Sequence, residues 1–288
     1  MIYSYGVTRQ GAYHVKKNVV CQDAHKINVI NKGFAIAAVA DGLGSELYTD
    51  VASKIAVEAS TSYCVENINE EDSEQDILRT IKESFSIALN KINDTADAEG
   101  HDKDQYDTTL ALAVYIKGNV FFGNSGDSGI IVLNADGTYE SITTQQRDEN
   151  GCVFPLFFGE DKWEFGTKKN VASILLATDG MYETFFPYLL KDEEVNIYVA
   201  LVHYMMNNSS LRFSDSANDD VQTKMENFID SISGEQVSDD KTVVVLVDDE
   251  VKAESQPDEY YKAPDWEKLR KKRDEDYKRA AYPHLFKE

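Results

Sequence analysis

Three aspartates stand at the boundary of an apolar, strand-like run in this 288-residue chain. Asp41-Gly42 ends the run Phe34-Ala-Ile-Ala-Ala-Val-Ala40, and Asp179-Gly180 ends Ala172-Ser-Ile-Leu-Leu-Ala-Thr178. The third place is reversed, with Asp239-Asp240-Lys241 leading into Thr242-Val-Val-Val-Leu-Val247. Strand ends are rigid, so carboxylates there are held convergent and solvent-facing, as a multivalent hard cation requires of its ligands. The chemistry they predict is that of a divalent-metal site. Oxygen donors suit Mg²⁺ or Mn²⁺ rather than zinc. Two such ions ~3.5–4 Å apart can share a hydroxide, lower its pKa and clamp both oxygens of an in-line displacement at phosphorus, with no covalent intermediate on the protein. Without a cation, clustered carboxylates repel one another and their pKa values rise.

The elements that must position these groups follow from periodicity. After Asp41-Gly42, Val51, Ile55, Ala59 and Tyr63 recur every four residues, with Ala52 and Ala56 widening the stripe, which predicts a helix. A second helix begins at Ser73, where Ser73 and Asp76 form a variant capping box, and Ile77, Ile81, Phe85, Leu89 and Ile92 line one face. Residues 94–107 are polar, Asp-rich and loop-like. The runs 108–116, 120–124 and 129–133, separated by Lys117-Gly118-Asn119 and followed by the turn at residues 134–137, predict an antiparallel meander. Further on, 196–206 and 221–232 are helix-like, the latter with Val221, Met225, Phe228 and Ile232 on one face. Between them, 207–220 is Ser/Asn/Asp-rich and expected to be mobile. The strand 242–247 closes the domain. Helices paired with antiparallel strands give an α+β layered class rather than an alternating one.

Composition bounds the function. With 42% hydrophobic residues the chain can bury a sizeable core. Its 51 acidic and 29 basic residues leave a net charge of −22, which disfavours nucleic acid and anionic membrane as partners. Most of that acidity reads simply as a well-solvated surface. Cys21, Cys64 and Cys152 lie far apart, which argues against a disulfide framework or zinc site and fits a reducing compartment. The N-terminus shows no signal-peptide pattern and no apolar run reaches membrane-spanning length, so a cytoplasmic location is expected. Residues 250–288 carry ten acidic and ten basic side chains, so the whole net charge belongs to 1–249. The expected organisation is one domain over 1–249 and a charged tail, 250–288, with a helix over 265–281. Trp266, Leu269, Arg273, Tyr277 and Ala280 form a narrow stripe on that helix, suited to packing on its own domain or to docking another protein.

Six short motifs then occur in an order that resembles the metal-dependent PP2C-type (PPM) protein phosphatases, in particular a bacterial branch. They are Cys21-Gln22-Asp23-Ala24, Asp41-Gly42-Leu43-Gly44-Ser45, Asp107-Thr108-Thr109-Leu110, Gly126-Asp127-Ser128, Thr178-Asp179-Gly180 and Asp239-Asp240-Lys241-Thr242. The resemblance covers roughly residues 1–248. It implies a four-layer α-β-β-α sandwich of two antiparallel sheets flanked by helices, with metals in a cleft at one edge. It implies hydrolysis of phosphoserine or phosphothreonine on proteins by a hydroxide bound to two Mn²⁺ or Mg²⁺ ions, and a Ser/Thr kinase acting on the same substrates. By the same resemblance Asp41 bridges the two ions, the Gly42 carbonyl ligates one of them, and Asp179 and Asp239 complete the other's protein ligands. Asp23 holds metal-bound water, and Asp127 helps bind a weaker third ion with Asp179.

The chain departs from that pattern at three places. Gln22 stands where many members carry Glu, which removes a charge from the second ion's shell. Asn18 stands where an Arg commonly binds the substrate phosphate, leaving Lys16, Lys17 or His14 to supply positive charge, although His14 also reads as a plain surface residue. Leu43 replaces a His that protonates the leaving group in some animal members, so a water or His25 would serve. These departures are what a second possibility rests on: a catalytically degenerate module that binds phosphoproteins or regulates a complex. Gly126-Asp127-Ser128-Gly129 also looks like a serine-protease nucleophile segment, but no secretory signal or disulfide set accompanies it. No GxxxxGK[ST] loop and no HExxH helix is present.

Overall fold

The computed structural model describes residues 1–206 and 218–282. Ten strands form two five-stranded antiparallel sheets. The first sheet contains β1 (Ile2–Arg9), β6 (Gly129–Asn134), β7 (Tyr139–Ser141), β9 (Val171–Ala177) and β10 (Lys241–Asp248), in the order β1-β10-β9-β6-β7. In the second, β2 (Asp23–Asn31), β3 (Phe34–Asp41), β4 (Leu110–Ile116), β5 (Asn119–Ser125) and β8 (Glu164–Lys169) follow one another in chain order.

Packing follows from the two-residue period of a strand. On β3, Ala35, Ala37 and Val39 turn inward, where they meet Ile130, Val132, Ile174, Leu176, Val244 and Leu246 of the first sheet. Ile36, Ala38 and Ala40 turn outward onto helices α2 (Thr49–Asn67) and α3 (Glu74–Glu99). Both faces of β3 are therefore dry, which explains its unbroken apolar run. On the far side of the first sheet, Tyr5, Val7, Leu175, Val243 and Val245 pack against α4 (Asp179–Phe185), α5 (Val199–Met206) and α6 (Asn218–Ser231). The result is the expected four-layer α-β-β-α sandwich with a core between each pair of layers. Each fully buried Leu, Ile or Val contributes about 1.5–3 kcal/mol.

Several local expectations need correction. Of the stripe read on α2, Ala52, Ala56 and Ala59 are buried, together with Val57, Ser60, Thr61 and Cys64, whereas Val51, Ile55 and Tyr63 are only partly covered. Small side chains let this helix lie close to the sheet, so bulk was a poor guide to its inner face. Ser73 does cap α3, its hydroxyl accepting from the Asp76 amide, but the helix runs on to Glu99 through the polar stretch read as loop. Ala96, fully buried, is what holds that last turn down. The meander breaks after β5: the chain crosses to the other sheet at Gly126-Asp127-Ser128, and β6 pairs with β7 and β9 instead. Strand β10 lies inside its sheet, between β1 and β9. The segment 207–220 lies outside the described residues up to 217, and 218–220 open α6.

Beyond β10 the chain runs back over the first sheet's outer side and ends in α7 (Trp266–Ala281), capped by Asp265, which accepts from the Lys268 amide. Its N-terminal half packs on the domain. Trp266 meets Tyr198 edge-on, and Arg273 stacks 3.5 Å from the Tyr188 ring centre. Tyr277 and Ala280, read as part of the same stripe, are exposed. No helix among the described residues is long and apolar enough to cross a membrane.

Candidate metal centre

Antiparallel pairing brings the motif residues to one edge of the sandwich. Asp23 opens β2 and Asp41 ends β3, directly opposite in register. Strand β9 runs up to Asp179 while β10 starts just after Asp239, and these two strands pair antiparallel. The Asp127 crossover precedes Gly129, which pairs with Ala177 at the end of β9. Thr178 ties the two sheets together there by donating its hydroxyl to Asp23 Oδ2 at 2.7 Å.

Both Asp-Gly glycines are required by close approach. A Cβ on Gly180 would sit 2.1 Å from the Asp240 carbonyl oxygen, and one on Gly42 would sit 2.6 Å from the Thr49 backbone. Each glycine lets a neighbouring chain pass directly beneath its aspartate. Asp41 is pinned further by its amide, which donates to Thr109 Oγ1 at 2.9 Å, while its carbonyl accepts from the Thr109 amide and the Thr108 hydroxyl.

Carboxylate oxygens of Asp41, Asp127 and Asp179 lie within 4.8 Å of one another. Asp239 is not in that tight group. It shares with Asp179 the wall of an adjoining cavity of about 360 Å³, also lined by Glu183, Gln236 and Ser238. Asp23, 4% exposed, lies at the inner margin. Burial raises the pKa of Asp23 well above the ordinary carboxylate value, with Asp240 adding repulsion. The same happens at Asp41, from burial and then from Asp23 and Asp179. Asp179 is pushed up to about 6 by burial and by Asp127. At Asp127 burial again raises the pKa, against the opposing pull of Arg147. Buried acids held this close fit a divalent cation: the donors are all oxygen, and cation charge would relieve both repulsion and desolvation. Gln22 Oε1 adds a buried acceptor with no hydrogen-bond partner among the described residues.

The basic segment stands differently from expectation. Lys16 and Lys17 are exposed on the short helix α1 (Ala12–Lys17), and the Lys17 ammonium lies 5.8 Å from the Tyr13 ring centre. His14, read as lying in an exposed segment, is 5% exposed, with Nδ1 2.9 Å from Asp240 Oδ1. Asp240 also accepts from the Gly11 and Gln22 amides, both at 2.6 Å. This buried carboxylate thus fastens α1 to the β10 turn through those two amides, with the His14 ring packed beside it. His25 is engaged too, with Nδ1 2.7 Å from the Thr8 hydroxyl.

Arg147 carries no signal in the motifs, yet among the described residues it is a cation in direct contact with the cluster. Its Nε donates to Asp127 Oδ2 at 2.8 Å, and its Nη2 lies 2.6 Å from the same oxygen while donating to Glu183 at 3.0 Å and Asp179 at 3.3 Å. Twenty and thirty-two residues separate it from Asp127 and Asp179, so only tertiary structure brings them together.

Solved structures share this fold. Stp1 from Staphylococcus aureus, a serine/threonine phosphatase, is 16% identical, with 86% of this chain and 95% of that one covered and a TM-score of 0.59. For the Mycobacterium tuberculosis serine/threonine phosphatase PstP/Ppp the values are 16%, 85%, 98% and 0.57. The catalytic domain of PstP, solved with two manganese ions, gives 15%, 85%, 97% and 0.56. No curated protein matches the chain. The pattern of the family described as protein phosphatase 2C matches residues 10–229, which include Asp23, Asp41, Asp127 and Asp179 and stop ten residues short of Asp239. With three quarters of its length in that match and its sheets in that fold, the chain belongs to the protein phosphatase 2C family.

Proposed function

We propose that this protein is a metal-dependent phosphatase that hydrolyses phosphoserine or phosphothreonine monoesters on other proteins. The observation that carries this reading is the convergence of Asp41, Asp127 and Asp179 within 4.8 Å at an edge where strands of both sheets end. Two Mn²⁺ or Mg²⁺ ions are the expected cofactors, with Asp41 and the Gly42 carbonyl, Asp179 and Asp239 as the residues that hold them. A pair of such ions, when bound, supplies Lewis acidity: it lowers the pKa of a water and neutralises charge on a phosphoryl group.

The chain's own residues do the positioning. Asp23, fixed at Oδ2 by the Thr178 hydroxyl, orients water at the cluster's inner margin. Leu43 has no proton to give and His25 is occupied by Thr8, so the departing alkoxide takes its proton from solvent. Lys16 and Lys17 add diffuse positive charge near the Asp239 turn, since the neighbouring Tyr13 amide donates to the Ser238 carbonyl at 2.8 Å. His14 lies beside Asp240 and acts on the site through it. The physiological partners on this reading are cytoplasmic phosphoproteins and the Ser/Thr kinase that modifies them. Residues 1–249 form the catalytic unit and 250–288 an appended tail.

Turnover of a phosphothreonine peptide and of p-nitrophenyl phosphate with Mn²⁺ tests this. Asp41→Ala and Asp239→Asn should each lower kcat/KM by roughly 10²–10³-fold, the scale of removing one electrostatic stabiliser of a transition state. Equal turnover in all three proteins, or none in the metal-loaded wild type, would instead favour a degenerate phosphoprotein-binding module.

A further inference from the structure

Arg147 reaches the carboxylate cluster on a scaffold built for that purpose. The hairpin that bears it closes through a bridge between Arg147 and Val153, and Asp148 Oδ1 accepts the amides of Asn150 and Cys152 across its tip. At its base, Gln146 binds the Asp127 turn twice: its amide donates to the Gly126 carbonyl at 3.0 Å, and its Oε1 accepts from the Gly126 amide at 3.1 Å. Gln145 Nε2 donates to the Asp127 carbonyl at 3.2 Å. The arginine and the aspartate it grips are thus parts of one hydrogen-bonded unit.

Three carboxylates, Asp127, Asp179 and Glu183, meet a single nitrogen, Nη2, at 2.6–3.3 Å. Such convergence on one point is how carboxylates surround a metal ion, but here the charge is a guanidinium that stays protonated at all accessible pH values. The Asp127 and Asp179 carboxylates it contacts belong to the same group of three that offers ligands to a cation. A guanidinium and a divalent ion cannot share those carboxylates at full strength.

We propose that Arg147 is a built-in occupant of the Asp127 side of this centre, which limits the number of divalent ions the protein holds. With Arg147 in place Asp127 is neutralised internally, and the ions expected from the proposed function must be held from the Asp41, Asp179 and Asp239 side. A further ion enters at Asp127 only when Arg147 leaves. Glu183 is the latch: its exposed carboxylate holds Nη2 without belonging to the three-carboxylate group. This rests on the phosphatase reading for the identity of the ions, and on the contacts of Arg147 for the competition.

Equilibrium titration of the full chain with Mn²⁺, followed calorimetrically, separates the two. Relative to wild type, Arg147→Gln should bind one additional ion per chain, or bind its weakest ion at least ~10-fold more tightly, the lower end of what a lost charge-assisted hydrogen-bond set confers. Glu183→Gln should move the same constant in the same direction by less, and Arg147→Lys, which keeps a charge but not the fork, should retain the wild-type stoichiometry. Circular dichroism and thermal unfolding establish that each variant is folded. Identical stoichiometry and constants in folded Arg147→Gln, or fewer ions in it than in wild type, would overturn the competition while leaving the phosphatase reading intact. Absence of Mn²⁺ binding in wild type and variant alike would remove the metal reading and this inference with it.

Discussion

Asp41 ends, and Asp179 and Asp239 lie just beyond, strands bonded on both sides, whereas Lys16, Lys17 and Arg147 stand on a six-residue helix and on a hairpin tied mainly at its base. Strand β3 lies between β2 and β4, β9 between β10 and β6, and β10 between β1 and β9. Shifting one of these aspartates means disturbing a ladder whose side chains fill two cores. The cationic elements are held by fewer bonds, α1 through Asp240 and the Ser238 carbonyl and the hairpin through Gln145 and Gln146. A centre built this way holds its acidic ligands more firmly than the positive charge around them. That difference explains how the chain can lack an arginine at Asn18 and still bring a guanidinium to its acidic cleft from elsewhere.

The strongest test of the contrast is a methyl group added to each side. Gly180→Ala drives a Cβ to 2.1 Å from the Asp240 carbonyl oxygen, against backbone that cannot turn aside. It should cost about 3 kcal/mol, read as a lower urea midpoint at unchanged m. Gly151→Ala, at the hairpin tip, meets no atom within 4 Å and pays only for its positive φ, about 1 kcal/mol. Equal losses would show that the strand-end side is no more constrained than the hairpin.

The next effect concerns protons. In the folded, metal-free chain Asp179 titrates at about 6 against an ordinary value of 3.8, so between those pH values the native state binds more protons than the unfolded one. Stability must then fall as pH rises through that window, on the order of 2–3 kcal/mol from this group. Asp41 and Asp23 are raised in the same direction. In EDTA the melting temperature should decline from pH 4 towards 7. Saturating Mn²⁺ should add stability that grows with pH, ~2.7 kcal/mol at a hundred times its dissociation constant. Asp179→Asn in EDTA should flatten the decline, and an unchanged slope would mean that these carboxylates are not the groups responsible.

How much of this was legible in the sequence follows from the range of the interactions involved. Asp41 and Asp179 announce themselves because a strand end is a local pattern: an apolar run, an Asp, and a Gly demanded by a crossing chain. Periodicity reads as an α+β layered class, and the four layers come with the resemblance carried by the motif order. Illegible were features decided by partners far along the chain. The inner face of α2 extends past the predicted stripe to Ser60, Thr61 and Cys64, while Ile55 is only partly buried. His14 looks exposed beside Lys16 and Lys17 until Asp240, 226 residues away, is folded against it. Arg147 sits in an unpatterned stretch, and its role depends on one carboxylate in the β5–β6 crossover and two on α4.

The smallest expected effect belongs to the exposed lysines, and it decides whether the cationic half of the cleft has one contributor or two. Lys16 and Lys17 are solvated, and at 0.15 M salt charges more than about 8 Å from a phosphate are largely screened. Replacing both by Ala should therefore raise KM for a phosphothreonine peptide only ~2–3-fold and leave kcat unchanged, with the difference vanishing in 0.5 M salt, as for surface charges worth under about 1 kcal/mol each. A rise beyond tenfold that survives high salt would make the lysines direct phosphate ligands and give α1 a defined role in the site. No change at any salt concentration would leave the positive charge of the cleft to Arg147 alone. The guanidinium would then have to serve both the carboxylates that hold it and the phosphoryl group that approaches, and the acidic and cationic halves would meet in one side chain.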